Sequence, residues 1–474
     1  MAKYDCMATK YLRRSERLKQ FFKTIITVTM ALFAFPVSGC GKPGAVGSNL
    51  DFRLYTGGES YYVAGIGKET SSDIVVPAVY NGKPVVGVGG KSFKDNKTVE
   101  SVVIPSSVEW VGVGAFRNCP ALKRVVWNAV SARTDENNYN NRVFLGSENI
   151  EEFIVGETVE TIPGGLFAYS GGSKISEITL PSSVKKIAAC TFSSVNRIKI
   201  NVESLNKWLS VEKYGNGAPL ASSYTLFAGG EEVETAVIDG VAGIHEYEFA
   251  GCASLKRAEI GEDVETIART AFADCANLSA VTVSGNNPKF YESGGVVYSA
   301  ADNALTVVPG AIGGEVTIPY GVPSVPRNAF ASTLIEKLVI PGSVRVIGGS
   351  SFDNCKKLTS VTISDGVTGI DDWAFGGCPA LETVILPKTV TILGDELFGD
   401  SPLVSVYYLG ETVPAGANWA KLPLWLYSET APASAGNYWH YGADGVTPVK
   451  WENAGDDRVD LPPRPARRPK SPRR

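Results

Sequence analysis

The chain has 474 residues, 44% of them apolar, which is enough to bury one large core or several. Lys+Arg at 45 nearly balances Asp+Glu at 49, and only two His are present, leaving little room for His-based metal sites or a His general base. Gly 50 and Pro 27 form roughly a sixth of the chain, above the usual one in about eight; they imply many tight turns, without a collagen period or the low hydrophobicity of disorder.

The near-neutral total hides three unlike parts. Residues 1–39 begin with Lys3, Lys10, Arg13, Arg14, Arg17, Lys19 and Lys23 and turn apolar from Thr24 to Val37. Fourteen apolar residues are too few to span a bilayer, and a basic start followed by a short apolar run describes a secretory signal. The run ends in Val37-Ser38-Gly39-Cys40, which resembles a bacterial lipobox and makes Cys40 the expected lipidation site, followed by a linker over 40–49. At the other end, residues 458–474 form a Pro-rich basic tail that cannot bury a core. With both ends set aside, residues 40–460 carry a net charge of about −15, so nucleic acid is a poor partner, because phosphate contacts need the opposite sign.

Between the ends a Phe recurs: Phe93, Phe116, Phe144, Phe167, Phe192, Phe227, Phe249, Phe272, Phe330, Phe352, Phe375 and Phe398, most often 22 or 23 residues apart. Each is followed by a polar turn and a strand-like Leu-x-x-Val-x-Ile segment, as in Leu381-Glu-Thr-Val384-Ile-Leu386, then by a second short segment that leads to the next Phe. This period is the signature of a leucine-rich-repeat solenoid, a β-rich arc with a parallel sheet, an irregular convex side and short β-hairpin insertions. In each strand offsets 0, 3 and 5 point inward and offsets 2 and 4 outward, because side chains alternate with period two. One unit cannot bury its inward face alone, so about thirteen repeats of 22–23 residues are expected over 50–410, with the Phe rings stacked as a spine on the other side. Pro105, Pro181, Pro319, Pro341 and Pro387 end the strands, since Pro has no N–H to donate. The repeat loses its regularity near 128–143, 201–226 and 284–315, which reads as loops or hairpins inserted into the scaffold. Cys119, Cys252, Cys275, Cys355 and Cys378 each follow a Phe by three residues and form one structural column of small buried thiols.

The repeat, together with the stretches at 74–93, 206–238, 284–319 and 427–451, resembles the BspA-like (Treponema-type) leucine-rich-repeat bacterial surface proteins. The resemblance covers about residues 50–452. It implies an exported cell-surface protein, here of lipoprotein type, that acts in adhesion or recognition of macromolecules without catalysis or a cofactor. The ligand is a protein or a glycan, and the resemblance names neither. A structural envelope or matrix component that self-associates edge to edge is the rival reading; otherwise a monomeric or weakly self-associating chain is expected.

Sequence elements that imitate chemistry are absorbed by the repeat. Gly89-Gly90-Lys91-Ser92 looks like the end of a phosphate-binding loop, but the required first Gly falls on Val85. His245-Glu246 begins a zinc-protease motif whose second His falls at Phe249. Tyr438-Trp439-His440-Tyr441 belongs to an aromatic C-terminal cap expected over 411–457. The candidate ligand face is therefore the outer surface of the sheet. Its column at offset 4 includes Val103, Val126, Ile154, Thr179, Lys199, Glu259, Val339, Ile385 and Tyr407, flanked at offset 2 by Arg124, Glu152, Glu177, Arg197, Arg257 and Lys337.

Overall fold

The computed structural model describes residues 49–451 apart from 135–141, 168–172, 193, 196, 215–222, 403–404, 411, 414–417, 431, 433–435 and 446. The chain divides after Ser48, and the solenoid lies in the unit that begins at Asn49; the expected signal, Cys40 and the basic tail lie outside the described residues.

The repeats coil into a β-rich solenoid of about fourteen turns with almost no helix. Each turn contributes to two parallel ladders. The Leu-x-x-Val-x-Ile segments form the long ladder, for example Ser101–Ile104, Arg124–Trp127 and Glu152–Val155, in which Val103 faces Val126 and Val126 faces Ile154. The second segment of each turn forms a short ladder of mostly two-residue strands such as Ser324–Val325, Val346–Ile347, Gly369–Ile370 and Ile392–Leu393. The prolines that end the long strands also begin the corner between the ladders: the Pro105, Pro181, Pro341 and Pro387 carbonyls each accept from the Val three residues on, at 3.1–3.2 Å. At the N-terminal end an antiparallel pair, Asp51–Leu54 and Tyr61–Gly65, closes the stack.

The third side of each turn is built around the Phe. Two residues after it the backbone is left-handed, at Asp95, Asn118, Gly146, Gly251, Asp274, Ser332, Asn354, Gly377 and Asp400, with φ between 55° and 77°. That conformation suits Gly, Asn and Asp, which explains their abundance here. Successive turns are joined by main-chain bonds at alternate residues: Lys91, Phe93 and Asp95 donate to the carbonyls of Val113, Ala115 and Arg117, and Ser350, Phe352 and Asn354 donate to Asp372, Ala374 and Gly376, all at 2.8–3.0 Å. The rings follow this spacing. Phe93, Phe116, Phe144, Phe167 and Phe192 stack in series with centroids 4.8–5.7 Å apart, Phe249 stacks on Phe272 at 5.5 Å, and Phe330, Phe352, Phe375 and Phe398 form a third stack at 5.1–5.9 Å.

Phe227 departs from the expected spine. It lies in the strand Tyr224–Ala228 of the long ladder, opposite Asn201, with the Lys199 ammonium 5.7 Å from its ring. The irregular segment before it supplies a five-residue helix, Leu205–Leu209, capped by the Ser204 hydroxyl on the Lys207 N–H, and a strand, Glu212–Tyr214, in the short ladder.

The segment at 284–315 interrupts the solenoid. Its strands Phe290–Ser293, Val296–Ser299 and Leu305–Val307 form a separate antiparallel sheet between the long-ladder strands Ala280–Val283 and Gly313–Thr317. Val296–Ser299 is a seam. Val297 packs into the core that runs back to Leu50, whereas Val296 and Tyr298 pack into the core that runs on to Trp419, because neighbours on a strand face opposite ways. The short ladder also stops at this place. In later turns Arg345 and Gly348 donate to Pro323 and Val325, Thr368 and Asp371 to Arg345 and Ile347, and Thr391 and Gly394 to Thr368 and Ile370. One turn earlier, the residues in register with Arg345 and Gly348 are Pro323 and Pro326, which have no N–H. The break is written into the sequence.

If the ring stack carries the stability of a turn, Phe352→Ala should cost about 3–5 kcal/mol, the range for large core truncations, and Phe227→Ala, which removes a ring from the outer face, less than about 1 kcal/mol. Urea unfolding of the two variants checks this, and equal losses would contradict the assignment of Phe227.

Candidate functional site

The outer face of the long ladder is where the strand alternation sends every second side chain. Val103, Arg124, Val126 and Ile154 are half-buried there, and Glu152, Glu177, Thr179, Arg197, Lys199, Arg257, Glu259, Lys337 and Val339 are exposed. Register brings them together in groups: Glu259 pairs across from Thr282, and Val339 lies between Thr317 and Thr362. Val237, beside Glu259, is 52% exposed and is the most open valine of the ladder.

Two parts of the expected column sit elsewhere. Lys199 is in register with Glu177 and not with Thr179, which faces Asn201. The slip is two residues, so every side chain keeps its face, and Arg197 falls just before the strand at φ 57°. Ile385 and Tyr407 are each only 7% exposed. The strands Leu424–Tyr427 and Tyr438–Tyr441 extend the long ladder beyond the last repeat and bring Trp439 over this face, with its ring 5.1 Å from Tyr407, 5.3 Å from Tyr427 and 4.9 Å from Tyr441. Trp439 is itself fully buried and its indole N–H donates to the Tyr408 carbonyl at 3.2 Å. His440, on the opposite face, packs on Trp451 at 4.1 Å. The period-two spacing of Trp439 and Tyr441 was the available signal for an aromatic cover on the ligand face.

Much of the charge on the solenoid surface is already used between turns. Arg124 pairs with Glu152 at 3.1 Å, Lys337 with Glu315 at 2.5 Å, Lys256 with Glu234 at 2.6 Å and Lys123 with Glu100 at 3.3 Å, each bond joining neighbouring turns. Such exposed pairs contribute little to stability individually, but they fix register and leave the valines, threonines and isoleucines between them as the open surface.

Two buried polar systems lie behind the face. The thiols of Cys119, Cys275, Cys355 and Cys378 each donate to the carbonyl of the Phe one turn back, at 3.0–3.2 Å. Ser147 and Ser401 stand in the same column and make the same bond to Phe116 and Phe375, at 2.6 and 2.9 Å. The column is thus a ladder of hydrogen-bond donors, which explains why Cys and Ser share it. Burial pushes the Cys119 thiol up to about 11, and burial raises Cys275 further. Cys378→Ser should therefore leave thermal unfolding nearly unchanged, whereas Cys378→Val, which removes the donor to the Phe352 carbonyl, should lose about 1–3 kcal/mol.

The second system is an ion pair with no exposed side-chain surface. Glu248 occupies the position before Phe249 that is Ala115, Ala271, Ala329 and Ala374 in other turns. Its carboxylate meets Lys213, whose ammonium also donates to the Trp208 carbonyl at 2.8 Å and sits 4.0 Å from the Trp208 ring. Burial pushes the Lys213 pKa down and the Glu248 pKa up, each opposed by the partner. The pair fastens the irregular segment to the spine. Lys213→Met alone should destabilise the protein by about 3–5 kcal/mol, and adding Glu248→Ala, which restores the usual residue, should recover most of it in the same denaturation assay.

Among the described residues no group of three His, Cys, Asp or Glu could hold a metal ion. The phosphate-loop lookalike is an ordinary spine turn, in which the Ser92 hydroxyl donates to the Val63 carbonyl at 3.0 Å.

The repeat geometry coincides with a family model. The BspA-type leucine-rich-repeat region matches in six copies over residues 82–199, 223–294 and 314–409. The chain belongs to the BspA-type leucine-rich-repeat family. No functionally curated protein matches it. Among solved structures it is similar to a leucine-rich cell-surface protein from Faecalibacterium prausnitzii, at 22% identity over 81% of this chain and 98% of that one, with a TM-score of 0.44. It is also similar to the pneumococcal vaccine antigen PcpA, at 17% identity over 84% and 87% with a TM-score of 0.40, and to a leucine-rich-repeat protein from Bacteroides ovatus, at 19% over 76% and 93% with a TM-score of 0.32. The BspA-type match ends at residue 409, just before the two strands that carry Trp425 and Trp439.

Proposed function

We propose that this BspA-type chain is a lipid-anchored protein of a bacterial cell envelope, displayed at the surface, that binds a protein or glycan without catalysis through the outer face of its long ladder. The observation that carries this reading is the column of exposed and half-buried side chains, mostly β-branched, from Val103 to Val339, flanked by charges of which Arg124–Glu152 and Lys337–Glu315 are paired across turns. A semi-apolar strip on a rigid, curved sheet is the form of a macromolecular binding face. Family membership supports the non-catalytic role, and the Val37–Cys40 lipobox supports anchoring. The net charge of about −15 on the body favours neutral or basic ligands.

The test has two arms. In detergent phase separation the parent chain should partition with membranes and the Cys40→Ala variant should not; partitioning of both would refute the anchor. On a panel of immobilised extracellular-matrix proteins and glycans, Val103→Glu/Val126→Glu should weaken binding about tenfold or more, the scale of a lost interface contact, with little change in unfolding midpoint. Equal binding would exclude this face, and no saturable ligand at all would leave a structural envelope role.

A further inference from the structure

Ion pairs such as Arg124–Glu152, Lys186–Glu212 and Lys337–Glu315 lie at the surface, with side chains between 43% and 70% exposed. Lys213 and Glu248 differ from these in having no exposed side-chain surface at all. Lys213 lies on the short-ladder strand Glu212–Tyr214 and Glu248 stands just before Phe249 on the spine side, so the pair links two sides of the coil through its interior.

The surroundings of the pair are apolar and aromatic. The Lys213 ammonium lies 4.0 Å from the Trp208 ring and donates to the Trp208 carbonyl at 2.8 Å, and the Trp208 indole N–H donates to the Glu248 carbonyl at 3.0 Å. One carboxylate oxygen of Glu248, Oε1, meets the ammonium; the other, Oε2, is buried with no hydrogen-bond partner among the described residues. The other titratable neighbours are the exposed His245 and buried Tyr224, with Cys252 behind Tyr224, and burial keeps both of these last two protonated. Two opposite charges are costly in such a place, and moving one proton from nitrogen to oxygen removes both, leaving a neutral amine against a neutral carboxylic acid. Burial pushes each group in that direction, Lys213 down and Glu248 up. Well-oriented groups held in contact react at an effective concentration on the order of 10⁵–10⁸ M, far above any reached in solution.

We infer that Lys213 and Glu248 condense into an isopeptide cross-link. The Nζ lone pair attacks Glu248 Cδ, a proton passes from nitrogen to the carboxyl hydroxyl, and the C–OH bond breaks as the Nζ–Cδ bond is completed. One water leaves, and no oxidant, reductant or co-reactant enters. The amide carries no charge, so it ends the burial of an ion pair, and its remaining N–H keeps the bond to the Trp208 carbonyl. The cross-link ties the irregular segment covalently to the spine at the one turn where Glu248 stands in place of the usual alanine. Until it forms, the two residues are the ion pair whose variants are compared above. The inference concerns the interior of the coil and does not depend on the outer face of the long ladder.

Trypsin followed by mass spectrometry reads the bond directly, because Lys213 is the only Lys or Arg between Lys207 and Lys256 and an acylated lysine is not cut. The full chain, incubated folded and then denatured and digested, should yield residues 208–256 as one species, lighter by one water than the uncut linear peptide. Chain held in urea for the same time should give 208–213 and 214–256 as separate peptides. Lys213→Met/Glu248→Ala, which restores the usual alanine, should give 208–256 at its full mass, and it carries the comparison if either single variant does not fold. Separate 208–213 and 214–256 from the folded parent at every time sampled overturn the inference. So does a loss of water that leaves Lys213 cleavable, or that also occurs in urea or in the double variant, since each places the dehydration away from the buried pair. Val103→Glu/Val126→Glu leaves the cross-link unchanged, so this inference and the ladder-face reading fail separately.

Discussion

The fold rests on one constraint: no turn of this chain can satisfy its own main-chain groups. The regular Phe turns send N–H groups forward to the next, short strands borrow carbonyls from the one before, and long strands are completed by their neighbours. The apolar side chains obey the same dependence, since an inward Val or Ile is covered by the turns on either side. Stability is therefore a property of adjacency, and the fit between one turn and the next is the quantity that varies along the coil.

This dependence accounts for the residues that break the pattern. Glu248 can replace a buried Ala only because the irregular segment delivers Lys213 and Trp208 to the same place. Trp439 can lie fully buried on an outer sheet face because two added strands carry it beyond the last repeat, over Tyr407 and Ile385. Pro323 and Pro326 work in the opposite sense and remove a contact that every later turn makes.

Much of this was legible before the structure. The Phe period gave the solenoid, the Leu-x-x-Val-x-Ile alternation separated inner from outer side chains, and the Cys column was recognisable as structural from its fixed distance to the Phe. Other features depend on contacts that spacing does not encode. A two-residue slip at Lys199 preserves the alternation and so leaves no trace in the pattern. Phe227 satisfies the period but sits after a segment whose extra residues carry it to the other side of the coil. The equivalence of Ser147 with Cys119 needs the shared carbonyl bond to be seen, and the cover on Tyr407 needs the path of the chain after the last repeat.

The seam at Val296–Ser299 also bears on how the chain reaches this state. A strand whose alternate side chains belong to two cores is built within a three-stranded sheet spanning only residues 290–307, so its contacts are local in sequence and close quickly. Both halves of the coil can then grow outward from a template that already displays one face to each. The interruption that looks like a defect in the repeat is thus a place from which order can spread in two directions during synthesis or refolding.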